Sequence, residues 1–224
     1  MKKYIVEFIG TFFLVLTVAC TAILMPGNPL TPLAIGSALM VMIYAGGHIS
    51  GGHYNPAVTL GVWLRGRCDT RDVVPYVLAQ IIGAAFAIFC AKALYPAAAA
   101  GLAALDAAQI KAGAAVANSV VPVILSEFLF TFALVYVVLN VATAKRNAGT
   151  GFYGLAIGFT VLVGAVAVGG ISGGAFNPAV AVGVSLLKSA GVLTFATVWQ
   201  HLAGEILAAI VAGGLFRALN ADDK

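Results

Sequence analysis

The chain has 224 residues, 62% of them hydrophobic and only 9% charged, with a net charge of +4 and a mean hydropathy of +1.04. A soluble domain carries roughly 25% charged residues, so this composition excludes a water-facing globular surface and makes lipid the solvent. The basic residues sit in short gaps between apolar runs and form no stripe, which excludes a nucleic-acid partner. In chain order, six segments are long enough to cross a hydrocarbon core, which takes roughly 20 helical residues. They are Tyr4–Met25, Thr31–Gly47, Val73–Leu94, Val120–Thr143, Gly154–Gly169 and Val192–Leu215. Two shorter apolar runs, Asn55–Leu64 and Asn177–Leu187, span only half that length. The first segment has the basic start of a secretory signal. Its apolar run is long for one, and further spans follow, so it reads as a retained transmembrane helix. Cys20, Cys68 and Cys90 have no metal-ligand spacing and read as small packing residues. No metal or cofactor is expected.

The half-length runs belong to a duplication. Ile49-Ser50-Gly51-Gly52-His53-Tyr54-Asn55-Pro56-Ala57-Val58-Thr59-Leu60-Gly61-Val62 aligns with Ile171-Ser172-Gly173-Gly174-Ala175-Phe176-Asn177-Pro178-Ala179-Val180-Ala181-Val182-Gly183-Val184, with ten of fourteen positions identical at an offset of 122. Glu7-Phe8 repeats as Glu127-Phe128, and Leu33-Ala34-Ile35-Gly36 repeats as Leu155-Ala156-Ile157-Gly158. The chain thus divides into a first repeat (1–94), a connecting loop (95–119) and a second repeat (120–224). Each repeat holds three spans and a half-helix. Three is odd, so the second copy enters the membrane from the opposite face, as an inverted repeat. With both termini cytoplasmic, nine of the basic residues fall inside and three outside (Lys92, Lys111, Lys188), as the positive-inside rule requires.

Irregular backbone at membrane depth must be buried in protein or line a wet cavity. Asn is a strong helix N-cap and Pro suits the first helical turn, so Asn55 and Asn177 should each cap a half-helix. Two such helices entering from opposite faces bring their N-termini together near the midplane. Each end carries roughly half a positive charge. An oxygen of water or an alcohol can accept hydrogen bonds there from the Asn amides, which should each have two donors to offer. A cation meets repulsion and no carboxylate. No nucleophile or acid–base pair accompanies the motif, so no catalysis is expected.

These residues resemble the aquaporin, or major intrinsic protein, family over essentially the whole chain. The resemblance rests on the two boxes Asn55-Pro56-Ala57 and Asn177-Pro178-Ala179, on His48-Ile49-Ser50-Gly51-Gly52-His53 before the first, and on the glutamate that opens each half. It implies an all-α membrane fold of six transmembrane helices and two re-entrant half-helices, a homotetramer with one pore per subunit in the lipid bilayer, and passive flow of water and small neutral solutes. A cell inner (plasma) membrane is the expected location.

The chain departs from the family at the outer constriction. Most members have Arg directly after the second box, where this chain has Val180. The other constriction positions fall at Ile35, Ala165 and Gly174. Water-selective members usually have Phe, His, a small polar residue and Arg at the four positions, whereas glycerol-conducting members usually have Trp, Gly, Phe and Arg. The present set should be wider, more apolar and uncharged, with the carbonyls of Ile171–Gly174 expected to supply most of the polar contacts. Glu7 and Glu127 should accept hydrogen bonds from the re-entrant loops. His48 and His53 should line or brace the first loop. Glu205 has no repeat counterpart, and its candidate roles are a subunit interface, a bond to His201 or a gate. Two other transport readings remain: a selective facilitator of a glycerol-like or metalloid hydroxide solute, and an ion-coupled secondary transporter, which would need an intramembrane carboxylate near the break. A non-conducting structural protein of the same fold is a further alternative.

Overall fold

A computed structural model describes residues 1–104, 120–187 and 193–223. Among these residues the structure is all-helical. Helix α1 (Lys2–Val18) continues as a π-helical turn, Ala19–Leu24. It is followed by α2 (Thr31–Ser50), α3 (Pro56–Leu64), α4 (Thr70–Leu94) and α5 (Pro96–Ala103). The second half holds α6 (Val120–Val138) with its own π-helical turn, Leu139–Thr143, then α7 (Tyr153–Ser172), α8 (Pro178–Ser185) and α9 (Val198–Leu219). Among the described residues six helices are long and apolar enough to cross a membrane: α1 and α6 with their extensions, α2, α4, α7 and α9.

Outward faces are apolar. Leu78, Ile82, Phe89 and Val166 are each more than half exposed, as befits side chains dissolved in hydrocarbon. Lipid tails offer no hydrophobic drive between helices, so association depends on close packing at small residues. Helices α2 and α7 cross where Gly36 and Gly158 face each other. A Cβ on Gly36 would sit 2.6 Å from the Gly158 carbonyl oxygen. The same device repeats between the first and third spans of each half. A Cβ on Gly83 would lie 2.6 Å from the Phe8 carbonyl oxygen, and one on Gly204 2.6 Å from that of Ile124. Each half-helix packs on the third span of the other repeat, α3 on α9 and α8 on α4.

Several boundaries differ from the sequence expectation; the second and fifth spans, for instance, each run three residues further, to Ser50 and Ser172. The sixth span starts at Val198, because Thr194 and Thr197 bond to each other's backbone and side chain in a local turn, the usual way Thr competes with a helix. Helix α8 stops at Ser185, where the amides of Leu186 and Leu187 turn back to Gly183 and Val184. The third span starts three residues early, at Thr70. The connecting loop opens with a short helix, α5, and most of the rest of that loop lies outside the described residues.

Candidate functional site

Each re-entrant loop begins at a helix end that only glycine tolerates. Gly51 and Gly173 close α2 and α7 at φ of +90° and +89°, the left-handed cap. Three residues later the chain takes a costlier step. Tyr54 (φ 51°) and Phe176 (φ 48°) hold positive φ with full side chains, a conformation that persists only where the surroundings fix it. Buried carboxylates do so. Glu7 accepts from the Tyr54 amide at 2.6 Å and the His53 amide at 3.0 Å. Glu127 accepts from the Phe176 amide at 2.7 Å and the Ala175 amide at 3.1 Å. Both glutamates are fully buried.

Beyond these residues, Asn55 and Asn177 cap α3 and α8. The Asn55 Oδ1 accepts from the amides of Ala57 at 2.8 Å and Val58 at 3.4 Å, and the Asn177 Oδ1 accepts from Ala179 at 2.9 Å. Pro56 and Pro178 occupy the first helical position. The amides then cross between repeats. Asn55 Nδ2 donates to the Phe176 carbonyl oxygen at 2.8 Å, and Asn177 Nδ2 donates to that of Tyr54 at 2.9 Å. This corrects the expectation of two spare donors on each amide. One N–H is consumed by the opposite loop, leaving one N–H on each.

A cavity of about 490 Å³ lies along these caps. Its walls include Asn55, Asn177 and the four positions Ile35, Ala165, Gly174 and Val180, and it extends to Asn28 and Thr31 at the α1–α2 turn. None of the described residues lining it is Asp, Glu, Lys or Arg. The expected polar wall from Ile171–Gly174 is thinner than the sequence implied. The Ser172 carbonyl turns away from the cavity to His201 Nε2 at 2.7 Å, leaving Gly173 and Gly174 of that run at the wall.

The two histidines before the first box part company. His53 lines the cavity, with Nδ1 3.1 Å from Thr59 Oγ1. Thr59 already donates to the Asn55 carbonyl and accepts from Gln80 Nε2, so it receives the His53 proton. That assigns the Nδ1–H tautomer from the network and leaves Nε2 as an acceptor. His48 does not brace the loop. It is exposed on the last turn of α2, and among the described residues no hydrogen bond joins it to the loop. It lies two residues from both Gly46 and Ser50, which turns it to the side of the helix opposite the buried face they share.

Several supporting residues escaped sequence reasoning. Gln80 donates to Glu7 at 2.8 Å, and Tyr76 donates to the Ser50 carbonyl at 2.7 Å. Glu205 is buried, and its Oε1 accepts the Asn177 backbone amide at 2.7 Å. Being buried, it does not face a subunit interface, and among the described residues no hydrogen bond joins it to His201. The π-helical turns at Ala19–Leu24 and Leu139–Thr143 are repeat-related. The first places Thr21 and Ile23 on the cavity wall, and such turns gather at functional sites.

Residues 1–216 match the sequence profile of the major intrinsic protein family. Across its full length the chain is 36% identical to aquaporin NIP1-3 of Oryza sativa subsp. japonica, covering 75% of that protein. It is 36% identical to the glycerol uptake facilitator protein-like 6 of Lactiplantibacillus plantarum, with both chains fully covered. It is 34% identical to aquaporin AqpM of Methanothermobacter thermautotrophicus, over 99% of this chain and 98% of that one. Among solved structures, the aquaglyceroporin from Plasmodium falciparum has the same fold, with a TM-score of 0.76 at 21% identity and coverage of 97% and 96%.

Proposed function

The chain belongs to the major intrinsic protein family of membrane channels for water and small solutes, and from that premise we propose that it is a passive channel that conducts water and discriminates weakly among other small neutral solutes. The observation that carries this reading is the cavity. Two amide-capped helix ends meet in it, and its described walls hold no charged side chain. Each Asn amide keeps one N–H for a passing oxygen. The positive helix ends oppose a cation, and the aligned caps turn a water's own hydrogens away from both ends. Selectivity of this kind comes down to pore width, lining donors and electrostatic barriers. Ile35, Ala165, Gly174 and Val180 offer neither a bulky ring nor a fixed charge, which favours admission of solutes larger than water.

The relative named as a glycerol uptake facilitator supports a second reading within the same class, a facilitator of a glycerol-like or metalloid hydroxide solute. Ion coupling has less support: of the candidate carboxylates, Glu205 is engaged with the Asn177 amide. The same proposal places the protein as a homotetramer in the cell inner membrane with both termini in the cytoplasm. Lys3 pairs with Asp72, and Arg65 and the Lys145 amide both meet Asp223, so both chain ends and much of the positive charge share one end of the bundle. Stopped-flow light scattering of proteoliposomes against a panel of water, glycerol, urea and boric acid tests the proposal. Osmotic water flux with some passage of the larger solutes is expected. Water flux with complete rejection of all three refutes the broad filter, and no flux above lipid background refutes the channel.

A further inference from the structure

The two halves of the protein hold their re-entrant loops with the same glutamate but with different third-helix partners. In the first half, Glu7 accepts four donors: the Ser50 hydroxyl at 2.6 Å, the His53 and Tyr54 amides, and the Gln80 side-chain amide. In the second half, Glu127 accepts the Ala175 and Phe176 amides. Among the described residues no side-chain amide takes the place of Gln80. His201 stands where Gln80 stands in the first repeat, and it has taken over the task of Tyr76, giving its Nε2 proton to the Ser172 carbonyl. That nitrogen remains 4.0 Å from Glu127.

Glu205, one helical turn further along α9, occupies the gap. Its Oε1 accepts from the Asn177 backbone amide. Among the described residues its Oε2 meets no N–H or O–H donor, and its carboxyl lies beside that of Glu127, because the two buried groups accept the consecutive backbone amides of Asn177 and Phe176. Two neighbouring buried carboxyls cannot both stay ionised without a counter-charge, so one keeps its proton. Glu127 accepts two amides and Glu205 one, which makes Glu127 the better anion. The geometry points to Glu205 as a protonated positioning residue: its O–H donates to Glu127 while its carbonyl oxygen holds the amide of Asn177, so that one neutral carboxyl ties the second Asn-Pro-Ala box to the buried anchor. Glu205 thereby does for the second loop what the Gln80 amide does for the first, and it adds a direct hold on the capping Asn. Its link to conduction rests on the channel reading above, whereas the protonation state stands apart from it.

Infrared difference spectroscopy on the purified protein in lipid, at neutral pH, reads the proton directly. The spectrum should contain the carbonyl band of a protonated carboxylic acid, shifted in D₂O, and the Glu205→Gln variant should lack it. Absence of that band from the unmodified protein, or its persistence in Glu205→Gln, overturns the assignment. Water permeability gives a second readout. Gln can accept through its oxygen and donate through its NH₂, so Glu205→Gln should retain most of the flux that Glu205→Leu loses. Equal loss in both variants would mean that a carboxylate is required, and would also overturn it.

Discussion

Arg65 and Asp223 meet at 2.7 Å where the C-terminal residues fold back over the end of α3. The guanidinium is almost wholly enclosed. It also donates to the Asp223 carbonyl at 2.8 Å and to Thr143 at 3.0 and 3.2 Å, and lies 4.6 Å from the Phe216 ring centre. A single cation thus ties together both repeats and the chain end. Burial pushes the Asp223 carboxyl upward, but the Lys145 amide and the Arg65 guanidinium outweigh it and hold the group below its ordinary range.

A carboxyl whose folded pKa is depressed contributes stability above its unfolded pKa of ~3.9, and that contribution vanishes as pH falls through the lower folded value. The melting temperature in detergent should therefore drop in the acid range by more than it does in Asp223→Asn, which should start lower at neutral pH. Parallel curves for the two proteins would show that the pair contributes nothing. Arg65→Met should cost more than Asp223→Asn, because it also removes the bonds to Thr143 and the Asp223 carbonyl and the packing on Phe216.

Asn177→Ala removes the cap acceptor for Ala179 and the donor to the Tyr54 carbonyl together. The cap costs ~1 kcal/mol and the lost bond a similar ~1 kcal/mol, more where the Tyr54 carbonyl stays buried and unpaired. Asn55→Ala does the same to Phe176. The two substitutions act on one shared junction, so the double variant should depart from additivity. Denaturant unfolding of the two single variants and the double variant in detergent measures this. Strict additivity would show that the crossed amides are energetically independent.

Much of this site could be read directly from the chain because its chemistry is local. An Asn-Pro pair caps a helix within three residues, and the duplication at an offset of 122 reports that it happens twice. The glutamates were legible because a carboxylate in an apolar span needs a partner and each repeat has one. What escaped depends on distance along the chain. The crossed amides join residues 121 and 123 apart. The task of Glu205 depends on which face of α9 turns inward, and an all-round apolar helix gives no periodic signal for that. The π-helical turns have no sequence mark at all. His48 was misread because its nearness to the box in sequence is undone by the helix, which turns it outward.

Glu7→Gln should be more damaging than its conservative appearance implies. The carboxylate accepts four donors, whereas a Gln side chain offers one acceptor oxygen and brings two donors of its own to face N–H groups. Hydrogen bonds to a charged group are worth ~1.5–3 kcal/mol each, so losing even one acceptor position should lower unfolding stability by about that much. The strained φ of Tyr54 should relax with it. Thermal unfolding gives the first number, and proteolysis of the first loop gives the second. Wild-type protection of that loop in Glu7→Gln would show that the positive φ is held by something else.

Val180→Arg tests the width of the passage. Val180 sits in the first turn of α8, buried by its neighbours yet on the cavity wall, and the cavity has room on that side because Ala165 and Gly174 are small. An arginine there would place a long cationic side chain among apolar walls and beside a positive helix N-terminus, both of which oppose its charge. It would narrow the passage and add a fixed charge opposing cations. Solutes the size of glycerol should be excluded more strongly than water. A tenfold rise in the water-to-glycerol flux ratio would correspond to ~1.4 kcal/mol of added barrier difference. Proton leak, followed with a pH-sensitive dye inside the liposomes, should fall along with glycerol flux. If glycerol and water fluxes drop in equal proportion, the arginine has plugged or unfolded the protein, and the apolar quartet does not set selectivity.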